Sequence, residues 1–170
     1  MVDVPRPAAL LRDFVNSVDL QDGIEQLTDP VAARSWLIAH GLLDPDAAIT
    51  AADLRRLLAV REGLRALWRG DGPASLNRAL AGVRLHPEFA PDGGLVLVAE
   101  GGADQVTARL LDAVLAGRAG GFGDRLKVCA RDACRWAFFD TSRNRAGRWC
   151  SMAECGNKVK MRRAYARRRP

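Results

Sequence analysis

All four cysteines of the 170-residue chain fall within 27 residues, as two C-x4-C pairs, Cys129/Cys134 and Cys150/Cys155, with 15 residues between the pairs. Zn²⁺ takes four soft ligands at tetrahedral corners about 2.3 Å away, and paired cysteines on tight turns supply them without a large core. The segment from residue 125 to 170 is too short to hold itself together by hydrophobic burial alone, so a metal staple answers a physical need. Two disulfides or unpaired core thiols are the other readings of the same residues. Disulfides suit oxidising compartments. The N-terminus MVDVPRPAAL lacks the apolar stretch of a secretory signal, and no apolar run approaches the roughly 18 residues of a membrane span. The expected compartment is therefore the cytoplasm, with thiols reduced. Four cysteines also close the coordination sphere, so the expected cofactor is one structural Zn²⁺; a catalytic zinc keeps a position open for water.

Charge divides the chain near the same place. The net charge of +6 is the sum of an acidic part, residues 1–124, with 12 Arg against 17 Asp and Glu, and a basic part, residues 125–170, with 14 Lys and Arg against 3 acidic residues. The first is net −5 and the second net +11. Four thiolates around one Zn²⁺ would leave the second at about +9, a field that concentrates polyanions.

The acidic part reads as mostly helical. Leu10, Leu11, Phe14, Val15 and Val18 predict a helix over Ala8–Val18. Asp29 as N-cap and Pro30 at the first helical position predict a second over Val31–His40, ending at Gly41, with His40 at its C-terminus. Thr50 with Asp53 resembles a capping box that opens a third helix reaching Gly70. A short helix over Ala74–Leu80 follows, then a β-hairpin from Val83–His86 and Gly94–Ala99, then a helix over Ala103–Ala116. Gly117, Gly120, Gly121 and Gly123 mark a flexible junction, which divides the chain into 1–123 and 124–170. In the basic part Ser151 and Glu154 form a second capping box, placing Cys155 in a first helical turn. One cysteine pair on a turn, a hairpin-like stretch over Trp136–Phe139 and a helix start carrying the other pair describe a treble-clef-like zinc module. Helical spacing puts Met152, Cys155, Val159 and Ala166 on one arc, expected to face the metal and the aromatic residues. The expected fold class is α+β: a mostly helical N-terminal domain with a small β-hairpin, and the zinc module.

The run Trp149-Cys150-Ser151-Met152 followed by Cys155-Gly156-Asn157-Lys158 resembles the signature of the CGNR zinc finger, with Lys158 where that family usually has Arg. Lys keeps the charge but loses the planar fork that pairs bidentately with phosphate or guanine. Cys129, Cys134, Asp140, Asn144 and Arg145 also fit that pattern, over roughly residues 125–168. Asp13-Phe14-Val15-Asn16, Trp36-Leu37 before Gly41, and Leu58-Ala59-Val60-Arg61-Glu62 are similar to the ABATE domain that accompanies this finger. The resemblance implies a stress-induced, bacterial-type regulator of transcription whose finger binds DNA.

The candidate nucleic-acid contacts are Arg143, Arg145 and Arg148 in the loop between the pairs, Asn157 and Lys158 toward base edges, and Lys160, Arg162, Arg163 and Arg167 along the last helix. The competing role for Asn157 is a local hydrogen bond. Trp136, Phe138, Phe139 and Trp149 read either as stacking platforms for unpaired bases or as a small core beside the zinc. The expected partner is double-stranded DNA; the alternative is an adaptor for RNA or an acidic protein. In the acidic part Arg61 and Arg65 lie within an apolar helical arc. They read either as ion-paired internally, with a carboxylate such as Asp13, or as an anchor for an anionic small-molecule effector; Asn16 reads either as part of that pocket or as making a buried side-chain hydrogen bond. That domain is thus expected to sense a ligand or to form a homodimer. No histidine–nucleophile pair, carboxylate metal cluster or nucleotide loop is evident, so catalysis is not expected.

Overall fold

The computed structural model describes residues 3–168. In chain order the elements are α1 (Arg6–Val15), β1 (Val18–Asp19), β2 (Ile24–Glu25), α2 (Pro30–Ala39), α3 (Ala51–Arg69), α4 (Ala74–Leu80), β3 (His86–Phe89), β4 (Leu95–Val98), α5 (Gly102–Ala119), β5 (Leu126–Val128), β6 (Ala137–Phe139) and α6 (Asn157–Arg168). The strands form three separate antiparallel pairs. This is the expected α+β fold: a helical body, a small hairpin and a cysteine-bearing module at the C-terminal end.

The helix starts follow their caps. Asp29 accepts from the Val31 and Ala32 N–H groups at 2.8 and 3.0 Å, and Thr50 and Asp53 close a reciprocal capping box. His40 ends α2, stacked on Trp36 with ring centroids 3.6 Å apart. The first helix is shorter than its periodicity suggests: it stops at Val15, and Val18 is buried as a strand residue in β1. One apolar residue a turn past the end suits either geometry, so spacing alone overran the boundary. The hairpin pairs Phe89 with Leu95 and starts three residues later than predicted, through the exposed sequence His86-Pro87-Glu88-Phe89. Pro87 is tolerated because a two-stranded sheet has only edges.

The core is built from Leu11, Phe14, Leu37, Leu57, Val106 and Leu110, each at most 1% exposed. A fully buried leucine of this kind contributes about 1.5–3 kcal/mol. Leu126 of β5 and Ala137 of β6 belong to the same buried cluster, as α1 packs on β6 and α3 on β5. The core thus continues across the glycine-rich segment, and β5–β6 rests on the helical body.

Candidate metal centre and basic surface

The first cysteine pair sits on the turn between β5 and β6. The Cys129 N–H donates to the Trp136 carbonyl at 2.9 Å, and the Cys134 N–H donates to the Arg131 carbonyl at 2.9 Å. The second pair flanks Ser151, whose hydroxyl accepts from the Glu154 N–H at 3.2 Å as a cap. The turn that follows, Met152–Gly156, is π-helical rather than α-helical. Gly156 lets the turn pack closely: a Cβ there would displace the Met152 sulfur and press on Trp149 Cδ1 at 3.2 Å.

The four sulfurs lie within 4.8 Å of one another, with Cys134–Cys150 and Cys150–Cys155 both at 3.7 Å. A tetrahedron with 2.3 Å metal–sulfur bonds has edges of about 3.8 Å, so the spacing suits zinc, whereas a disulfide needs about 2.05 Å. Cys129, Cys134 and Cys155 are buried, and Trp136 and Trp149 pack against them. Burial pushes the Cys134 thiol up to about 11, with Cys129 adding to the effect, and pushes Cys150 higher still. A divalent cation reverses that balance by deprotonating its ligands outright. Burial works most strongly against the Cys155 thiolate, but hydrogen bonds from the Arg131 guanidinium, 3.6 Å from its sulfur, and from the neighbouring cysteine thiols together hold the thiol below its ordinary value. Four sulfurs leave no open position, so the centre holds one structural zinc.

The loop between the pairs is organised by Asp140, which is 3% exposed. It accepts from Lys127 Nζ at 2.7 Å, the Ser142 N–H at 3.0 Å and the Gly147 N–H at 2.7 Å. Burial acts to raise its carboxyl, but these partners hold it well below the usual carboxylate range. Gly147 admits the close approach, since a Cβ would fall 2.7 Å from Asp140 Oδ1. Arg145, in the left-handed region at φ +52°, pairs with Asp124, and its carbonyl accepts from Lys127.

The predicted nucleic-acid residues are distributed over this loop and α6. Arg143 and Arg148 are exposed, the Arg148 guanidinium lying 5.4 Å from the Trp149 ring centroid. Lys158, Lys160 and Arg162 are exposed along α6, whereas the side chains of Arg163 and Arg167 lie outside the described residues. Asn157 donates to the Ala153 carbonyl at 3.1 Å, the local role. Trp136 and Trp149 take the small-core role, and Phe139 packs on the main core beside Phe122. The predicted arc is not kept: Cys155 is buried and Val159 half-buried, but Met152 is exposed, since the π-helical turn breaks the 100° phase, and Ala166 is exposed farther along α6, beyond the turn on which the helix chiefly packs.

Of the two readings for Arg61, Arg65 and Asn16, the structure shows internal partners at all three. Arg61 is bidentate with Glu25 at 2.7 and 2.8 Å and also reaches Ser17 at 2.9 Å and Glu62 at 3.1 Å. Burial would raise the Glu25 carboxyl, but Arg61 holds it below its ordinary value. Asp13 pairs instead with Arg12 at 2.8 Å. Arg65 donates to the carbonyls of Val15 and Arg135 and to Glu62. Asn16 donates to the Ala137 carbonyl at 2.9 Å and accepts from its N–H at 2.8 Å. Asn16 and Arg65 therefore fasten the zinc hairpin to the helical body. Arg131, Lys127 and Asp124 were not singled out by the sequence reading; among them only Arg131, within C-x4-C, could have been suspected from its position.

A helical body carrying a four-thiolate knuckle, two sulfurs from the β5–β6 turn and two from the π-helical turn before α6, defines a zinc-finger protein with an integral helical domain. The CGNR zinc finger model matches residues 125–168, and the ABATE model, described as a putative stress-induced transcription regulator, matches residues 8–137. The chain belongs to the ABATE family and carries a CGNR zinc finger. The two matches overlap over residues 125–137, the hairpin that Asn16 and Arg65 tie down. No curated protein matches the chain. No helix among the described residues is long and apolar enough to cross a membrane.

Proposed function

We propose that the chain binds double-stranded DNA through the surface organised by its zinc centre and regulates transcription by that contact. The observation that carries this reading is α6: from Asn157 to Arg168 it holds six basic residues and no acidic one, and Lys158, Lys160 and Arg162 are exposed. Twelve helical residues span about 18 Å, enough to lie in a major groove. Arg143 and Arg148 supply phosphate contacts from the loop. The engagement of Trp136 and Trp149 with the cysteine cluster favours a duplex over single strands, which would need free aromatic faces. The same reading makes the chain a binder rather than an enzyme.

Fluorescence anisotropy with a labelled duplex tests it. With about five phosphates neutralised, the logarithm of affinity falls with log salt at a slope of roughly −4.5. Single-stranded RNA and heparin serve as competitors. If the duplex binds no better than heparin or RNA, the adaptor reading replaces this one.

A further inference from the structure

A cleft of about 770 Å³ opens where α3 and α5 meet the zinc module. That volume lies within the range of small-molecule sites. Its apolar wall comes from Trp68 of α3, Val114 of α5, and Leu126 and Val128 of β5. Leu67 lines it too, which accounts for a large apolar side chain 37% exposed on a helix that is otherwise well packed. The charged lining is lopsided: four cations, Arg118, Lys127, Arg145 and Arg148, against one carboxylate, Asp124. Lys127 is occupied by Asp140 and Arg145 by Asp124. Arg118 and Arg148 have no ion-pair partner among the described residues. An apolar wall beside two uncompensated guanidinium groups has the chemistry of a receptor for a molecule with an apolar body and an anionic head.

We infer that this cleft binds an amphipathic organic anion and that its occupancy opposes binding of the polyanion. The second clause rests on the DNA-binding reading above. Arg145 and Arg148 belong both to the cleft and to the loop assigned to phosphate. A bound anion would draw Arg148, and would compete with Asp124 for Arg145. The Arg145 carbonyl accepts from Lys127, and Lys127 in turn holds Asp140, so a shift of Arg145 bears on the anchor of the whole loop. Two phosphate contacts withdrawn in this way would make the salt slope less steep by roughly 1.8. This site lies apart from Arg61, whose guanidinium is already committed to Glu25.

The test uses two fluorescent probes that differ by one charge: 1-anilinonaphthalene-8-sulfonate, and the neutral N-phenyl-1-naphthylamine. On the zinc-loaded full chain the sulfonate binds at one equivalent and at least tenfold more tightly than the amine. Arg118→Glu, at an exposed position, weakens the sulfonate by roughly tenfold, and Val114→Trp, which fills the cleft, abolishes binding; zinc content checks the fold of both. Equal binding of the two probes, or no change in Arg118→Glu, overturns the site. Saturating sulfonate should lower duplex affinity and flatten its salt dependence in the parent chain, and about tenfold more sulfonate should be needed for the same effect in Arg118→Glu. If the sulfonate binds as expected and the duplex affinity stays constant, the antagonism is overturned and the site stands. If the duplex never binds, the DNA reading falls and the probe results still decide the cleft.

Discussion

The two cysteine pairs each give two sulfurs to one centre, yet they are anchored in opposite ways. Cys129 and Cys134 ride on β5–β6, which shares the main core through Leu126 and Ala137 and is tied to α1 and α3 by the buried Asn16 and Arg65. Arg69–Asp132 at 2.9 Å and Arg131–Gln21 at 2.6 Å add ties at the surface. Cys150 precedes and Cys155 lies within the π-helical turn that leads into α6, and among the described residues α6 packs chiefly on that turn. Their ties to the rest include the metal, Trp149, the Arg131 guanidinium 3.6 Å from the Cys155 sulfur, and the Ala130 N–H to the Arg148 carbonyl at 2.9 Å. The zinc therefore acts as a clasp that fixes a basic helix to a prebuilt surface, more than as the nucleus of an independent domain.

Removing the metal breaks that comparison most severely. Binding to zinc-finger peptides is worth about 10–16 kcal/mol at neutral pH, and here most of it bears on the second pair. With Cys155→Ser, or after chelation, residues 150–162 should lose amide protection and duplex affinity should fall by at least 100-fold. The amides of β5 and β6 should stay protected, because their partners are on the helical body. Hydrogen exchange read by mass spectrometry decides between the two: loss of protection across the hairpin together with α6 would mean that the zinc nucleates the entire module.

The converse variant loosens the first pair and leaves the clasp closed. Asn16→Leu strands both the N–H and the carbonyl of Ala137, at a cost of about 2–4 kcal/mol. For a chain of this length that lowers Tm by roughly 5–15 °C. Zinc content should remain at one equivalent, since no sulfur has moved from its turn. A small effect on Tm with loss of zinc would reverse the assignment of which contact supports which.

How these ties could have been read beforehand depends on their range. Caps and turns are local, so Asp29, Thr50/Asp53 and Ser151/Glu154 announce themselves within four residues. The metal centre was equally legible, because two C-x4-C pairs in a basic segment leave few alternatives. Asn16 and Ala137, in contrast, are 121 residues apart, and Arg61 and Glu25 are 36 apart. A polar side chain on an apolar helical face signals that a partner exists, not whether it is a ligand or a distant backbone group. That ambiguity is why Asn16 and Arg65 leave both an internal partner and a ligand pocket open, and only the structure shows their partners to be the backbone of the zinc hairpin. The cleft was not legible at all: it depends on how β5 lies against α3 and α5, and its arginines look like any solvated charge in sequence.

The smallest effect separates the two kinds of anchor by their response to acid. The hairpin is held largely by hydrogen bonds whose partners do not titrate in acid, whereas the loop from Thr141 to Arg148 is held by the ionised carboxylate of Asp140. Its folded value lies below the ordinary 3.8, so the folded state binds fewer protons than the unfolded chain once the pH approaches that value. The stabilisation is complete above the unfolded value and drains away as pH falls from about 3.8 toward the lower folded value. Asp140→Asn removes the charge at every pH and costs about 1.5–3 kcal/mol at neutrality, the range for hydrogen bonds to a charged group. The stability difference between parent and variant, followed by chemical denaturation, should be flat from neutrality to about pH 5 and should shrink below it. Proton competition for the zinc ligands affects both chains and largely cancels in the difference. A difference that stayed constant down to pH 3 would mean that the loop is held by its backbone bonds, and that Asp140 contributes no more than a neutral amide does.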